Sequence, residues 1–138
     1  MSEEMLKGLI DVPQPEASLL LETGYLYMEM GKPKEAEEVF AGVAALLPHS
    51  EVPLVALGNL EFSQGHFQRA LKHHQEALKL KPESALAQAH IGEALLWLKK
   101  VDDGVKALKR AIELDPNGAP AAFAAALLEA HAQGAVGR

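Results

Sequence analysis

The sequence predicts an all-α protein, an α-solenoid of stacked helix-turn-helix units, and three observations carry that expectation. The first is self-similarity at a fixed step. Gly24, Gly58 and Gly92 stand 34 residues apart, and Pro48, Pro82 and Pro116 keep the same interval. The second is that residue size repeats in the same register: Ala36, Ala70 and Gly104, then Phe40, His74 and Leu108, then Val43, Ala77 and Ala111. The third is composition: 49% of residues are hydrophobic but only 5% aromatic, with Ala and Leu abundant. Such residues lose little entropy in a helix, and no segment has the β-branched or aromatic enrichment that favours strands. A fixed period of this size marks hairpins that bury their faces against their neighbours rather than in one common centre.

Taken in order, Ser2, Glu3 and Glu4 read as a helix start, a side-chain cap followed by carboxylates at the positive end of the dipole. Met5, Leu6, Leu9 and Ile10 share one face of a short helix reaching about Asp11. So short a helix is marginal alone and is expected to dock, either as a cap on the first unit or as a dimer contact or partner-sensing arm. Pro13 and Pro15 break it, so residues 1–15 form a short helix and linker.

The first unit, residues 17–50, is expected to hold helices at 16–30 and 33–47. Gly31 takes the left-handed stop, and Pro33 sits in the first turn, where its missing N–H has no partner to lose. The second unit, residues 51–84, repeats the plan with helices at 52–64 and 67–80 and Gly65 as the stop. The third, residues 85–118, has helices at 85–98 and 102–114, with Lys99 and Lys100 in the turn where the others have glycine. A capping helix follows at 120–132, within residues 119–133, and residues 134–138 are expected to fray. This last helix is rich in Ala and carries only Glu129 as a charge, so one flank is expected to be covered by a partner or a second copy.

The recurring mid-helix glycines imply close approach. Glycine costs about 1 kcal/mol relative to Ala inside a helix, so its return at one position in every unit points to a neighbour too near for a side chain.

The net charge of −6 is unevenly spread: residues 1–50 hold 9 acidic and 3 basic side chains, whereas residues 51–84 hold 4 of each and residues 85–138 hold 6 of each. No unopposed basic stripe exists to displace counterions from phosphate, which argues against nucleic acid as a partner. There is no cysteine, so disulfides and thiolate zinc sites are excluded. The N-terminus lacks a basic lead and an apolar core of the secretory type, and no stretch is long enough to span a bilayer, so a cytoplasmic location is expected. Of His49, His66, His73, His74, His90 and His131, only His73 and His74 lie close in one helix, and adjacent residues point about 100° apart. No metal site and no cofactor are expected. Phosphate-binding loops and nucleophile elbows lack the strand that gives them their geometry, so no enzyme is expected.

These residues resemble the tetratricopeptide repeat family over roughly residues 17–116. Gly31-Lys32-Pro33-Lys34-Glu35-Ala36 and Ala77-Leu78-Lys79-Leu80-Lys81-Pro82 carry the likeness. Departures are His74 for a large apolar residue, Gln88 for an aromatic or Leu, and Lys99 for a turn glycine, and they are expected to loosen the second and third units. The resemblance implies that first helices line a concave groove for a segment of another protein. By register that groove comprises Leu21, Tyr25, Met28, Val52, Val55, Asn59, Phe62, Leu86, Ala89, His90, Glu93, Leu96 and Trp97. Family members that grip acidic C-termini of heat-shock chaperones use Lys, Arg and Asn here. In this chain only Asn59 matches, and Leu21, Ala56, Leu86 and His90 stand at the cationic positions. The mostly apolar groove, the acidic N-terminal arm and the stretch 24–46, with Tyr25, Tyr27, Gly31, Glu35, Ala36 and Phe40, are similar to class II chaperones of type III secretion. That likeness implies a translocator-like client. The alternative is an assembly scaffold acting through self-association, for instance as a homodimer, or by bridging folded proteins.

Overall fold

A computed structural model describes residues 14–136. The expected helix over Met5 to Ile10 lies outside the described residues. Seven helices follow one another: α1 (Gln14–Glu29), α2 (Pro33–Leu46), α3 (Val52–Ser63), α4 (Phe67–Leu80), α5 (Ala85–Trp97), α6 (Val101–Leu114) and α7 (Ala119–Ala132). Their ends fall within two residues of the sequence expectation, and no strand forms among the described residues.

Two kinds of turn alternate, and each is built the same way every time. Within a helical hairpin, a residue at positive φ ends the first helix: Gly31 at 71°, Gly65 at 80° and Lys99 at 66°. Its N–H bonds back to the carbonyl three residues earlier, and the next N–H reaches five residues back, as in Lys32 to Tyr27 (2.8 Å), His66 to Glu61 (2.9 Å) and Lys100 to Leu95 (2.9 Å). This double closure satisfies carbonyls that the helix end leaves open. Lys99 adopts the same left-handed backbone without glycine's freedom, at a cost of roughly 1 kcal/mol.

Between hairpins, proline holds the second place of a four-residue turn. Ser50 N–H bonds to Leu47 O (3.0 Å), Ser84 to Lys81 (3.0 Å) and Gly118 to Asp115 (3.1 Å). Proline presets the φ such a turn needs and has no N–H to lose. Ser84 then caps α5, its hydroxyl accepting from the Ala87 N–H at 3.0 Å.

Helices pair as α1 with α2, α3 with α4 and α5 with α6, and α7 closes against α5 and α6. The small residues of the repeat sit where helices meet, and each glycine faces one large side chain. A Cβ on Gly24 would fall on the ring of Phe40, on Gly58 on the ring of His74, and on Gly92 on the branch of Leu108. Phe40, His74 and Leu108 are fully buried. His74 therefore fills the apolar position rather than loosening it. The third pair is also not loose: α5 and α6 make the most extensive contact of any two helices. The reason is Gly104, where a Cβ would lie 3.1 Å from Leu96 and 3.2 Å from the Gly92 carbonyl.

The described part of the tail, as far as Val136, folds back on the end of α7. Ala135 N–H bonds to the Ala130 carbonyl at 2.8 Å. The His131 ring donates to the Val136 carbonyl at 2.9 Å, and Val136 packs beside Leu127.

α1 meets α3, α3 meets α5 and α5 meets α7, whereas no comparable contact joins α2 to α4 or α4 to α6. Successive first helices thus pack directly on one another along one side of the stack, hereafter the inner side.

Candidate binding groove

Most side chains expected along the inner side come from α1, α3 and α5, and of these Tyr25, Asn59 and Glu93 share one register. At the α1–α3 end, the Asn59 amide donates to the Tyr25 phenol oxygen at 3.0 Å. Tyr25 also lies edge-on to Phe40, ring centroids 5.0 Å apart. Burial raises the Tyr25 pKa above 10, and the Asn59 bond works in the opposite sense. Because the phenol oxygen accepts from Asn59, its own O–H stays a donor.

Phe62 and Trp97, from consecutive hairpins, meet edge-to-face at 5.2 Å, and Phe67 at the start of α4 lies 4.9 Å from Phe62. Further along, His90 lies 5.3 Å from the buried His74 on one side and 4.8 Å from Phe123 of α7 on the other. The His90 ring also bonds to the Glu93 carboxylate at 3.1 Å, and both side chains are largely covered. Tyr25, Asn59, His90 and Glu93 thus have their polar atoms beside aromatic or apolar neighbours.

The structure separates the thirteen residues expected to line the groove. Leu21, Tyr25, Met28, Asn59, Phe62, Leu86, His90, Glu93 and Trp97 are half-buried and Val52 is exposed. Leu21 and Val52 edge a cleft of about 420 Å³ beside the turn between α2 and α3. Val55, Ala89 and Leu96 do not line the groove: Val55 is 1% exposed and the other two are closed completely. Val55 is wedged against Ala77 and Ala87, and Ala89 and Leu96 belong to the cluster with Leu108, Ala124 and Leu127. Successive first helices lie too close for these positions to remain open.

Phe123 was not among the expected lining residues, although the signal was there. One more step of 34 from Ala89 reaches it. Among the described residues no group of His, Asp and Glu converges as a metal site, and no helix is long and apolar enough to cross a membrane.

Residues 55–119 match the family model described as "Tetratricopeptide repeat". Trafficking protein particle complex subunit 12 of Mus musculus is 29% identical over 110 residues, which cover 75% of this chain but only 14% of that protein. The chain thus spans a small part of the curated relatives it resembles. Among solved structures, the first TPR domain of human RPAP3 superposes with a TM-score of 0.71 at 26% identity, over 85% of this chain and 90% of that one. The translocator chaperone SycD of Yersinia enterocolitica gives 0.72 at 19% identity, over 90% and 96%. With stacked helical hairpins, a glycine-to-large-residue contact in every pair and these superpositions together, the chain is a helical-repeat protein of the tetratricopeptide fold.

Proposed function

We propose that the chain is a non-catalytic protein–protein interaction module that holds an apolar peptide segment of a partner in its concave groove, in the manner of a secretion-type chaperone. The observation that supports this most is the row of half-buried aromatic side chains, Tyr25, Phe62, Trp97 and Phe123, presented along one inner surface. Aromatic anchors buried on binding dominate interface energies, so a groove of this kind suits apolar side chains of an extended or helical segment. Solved relatives of the same fold have been seen with peptides, among them SycD with a peptide of the translocator YopD and PcrH with the chaperone binding region of PopB. A chaperone client would be a chain that is unstable alone and forms a defined complex with this one.

The test uses peptide display on the immobilised, folded chain, followed by titration of selected peptides against Trp97, the only tryptophan. Substituting Tyr25→Ala, Phe62→Ala and Trp97→Ala together is expected to abolish capture while the helical circular dichroism persists. Capture that survives the triple substitution in a folded protein defeats the groove.

A scaffold role is the second reading, favoured by Leu19 and Leu26 of α1 and Met30 just after it, which are exposed at the end of the stack. Light scattering after size exclusion separates the two. A scaffold of this kind self-associates with a mass that rises with concentration and falls when Leu26 is made polar.

A further inference from the structure

Within the described helices, lysine and arginine are confined to the second helix of each pair, where seven acidic residues (Glu35, Glu37, Glu38, Glu76, Asp102, Asp103 and Glu113) balance them, so the net negative charge of the helices lies on the inner set. The inner helices α1, α3, α5 and α7 contain six glutamates and no lysine or arginine, whereas α2, α4 and α6 carry Lys34, Arg69, Lys72, Lys79, Lys106, Lys109 and Arg110. Within the inner set, Glu61 and Glu93 each bond to a histidine, His66 at 2.8 Å and His90 at 3.1 Å, but only Glu61 also has a guanidinium nearby, that of Arg69 at 3.8 Å, which matches its charge. Besides Glu61, others face the groove by register. Glu93 stands where Tyr25 and Asn59 stand in the earlier units, Glu29 where Trp97 stands, and Glu22 where His90 stands. Glu93 is the most enclosed of these three, 14% exposed and bonded to His90 within an aromatic frame.

Two features therefore coincide on one surface: aromatic anchors for apolar side chains, and glutamates on helices that carry no lysine or arginine. We infer that the partner segment is cationic as well as apolar, carrying lysine or arginine one or two residues from its apolar anchors, with a cationic head directed to Glu93. This rests on the groove proposed above and specifies its occupant. A largely covered carboxylate bonded to a ring that itself packs on Phe123 suits such a head group, because nearby ring faces attract cations and partial burial weakens solvent screening. An acidic segment meets like charge along the same surface, which is costly once water is displaced. An acidic tail such as the HSP90 peptide SRMEEVD, seen with the first TPR of Spaghetti (RPAP3), is of the disfavoured kind.

The experiment is display of random nine-residue peptides on the folded chain, with sequencing of the captured pool. Beside apolar residues, lysine and arginine together are expected to be enriched over aspartate and glutamate on the order of tenfold. The bias should shrink in 0.5 M salt. In a Glu22→Gln, Glu29→Gln, Glu93→Gln variant it should fall to near parity while selection for apolar residues persists. A wild-type pool rich in apolar residues but without basic bias, or with acidic bias, overturns this inference and leaves the groove standing. A pool captured equally by the Phe62→Ala, Trp97→Ala variant overturns the groove and the inference with it.

Discussion

His74 shows how much one side chain can be made to do by its register. It occupies the place that Phe40 and Leu108 hold in the neighbouring pairs, under the glycine of the facing helix, and neither ring nitrogen meets a hydrogen-bonding partner. Burial, reinforced by the charges of His90 and His73, pulls its pKa from 6.5 down to about 3. The folded chain keeps His74 neutral while the unfolded chain takes up a proton below pH 6.5. Its contribution to stability is therefore complete above that pH and is lost as the pH falls toward 3, at about 1.4 kcal/mol per pH unit. His74→Phe removes both the proton linkage and the unpaired nitrogens. The variant is expected to be more stable than the parent by about 1–2 kcal/mol at pH 7, with the gap widening by about 2 kcal/mol at pH 5. Urea unfolding at the two pH values reads this directly, and a gap independent of pH would show that His74 is not the titrating group.

At the scale of the helix pair, spacing is set by a glycine on one helix and a large residue on the other. Gly58 and His74 hold α3 against α4, and both are buried. Gly58→Leu is expected to destabilise by about 1–3 kcal/mol, because the added side chain must displace a ring that has no space to move into. An unchanged urea midpoint would remove the close-packing role from this position. These contacts were legible in the sequence because sterics leave glycine, proline and large apolar residues few alternatives at fixed intervals. Depth was not legible. Leu21, Val55 and Ala89 share a register, yet only Leu21 stays partly open, since the later positions are closed by a following hairpin that packs more tightly. Lys99 gave no local sign of its left-handed backbone; only the positions of Gly65 one unit earlier and Gly31 two units earlier imply it. The 34-residue step reaches Phe123, but its ring contact with His90 depends on how closely α7 approaches α5, which the step alone does not encode.

Across the whole molecule, the contact between successive hairpins grows from the N-terminal to the C-terminal end. Among the described residues α1 and α2 are tied to the rest chiefly through α3, so the described stack is weakest at that end. The same register has opposite environments at its two sides. Leu60 is 3% exposed, covered by Ala36, Phe40 and Ala56, whereas Leu26, one unit earlier, is 55% exposed because no described hairpin precedes it. In a linear stack, stability is a sum of unit and neighbour terms, so identical truncations at these two positions should have unequal effects. Leu60→Ala is expected to cost about 2–5 kcal/mol by opening a cavity between the first two hairpins, and hydrogen exchange should show α1 and α2 losing protection before α5 and α6. Leu26→Ala is expected to stay within about 0.5 kcal/mol of the parent. A loss above about 1.5 kcal/mol at Leu26 would mean that this end is covered in solution. A concentration dependence of that loss would then separate cover by a second copy from cover by the chain's own residues.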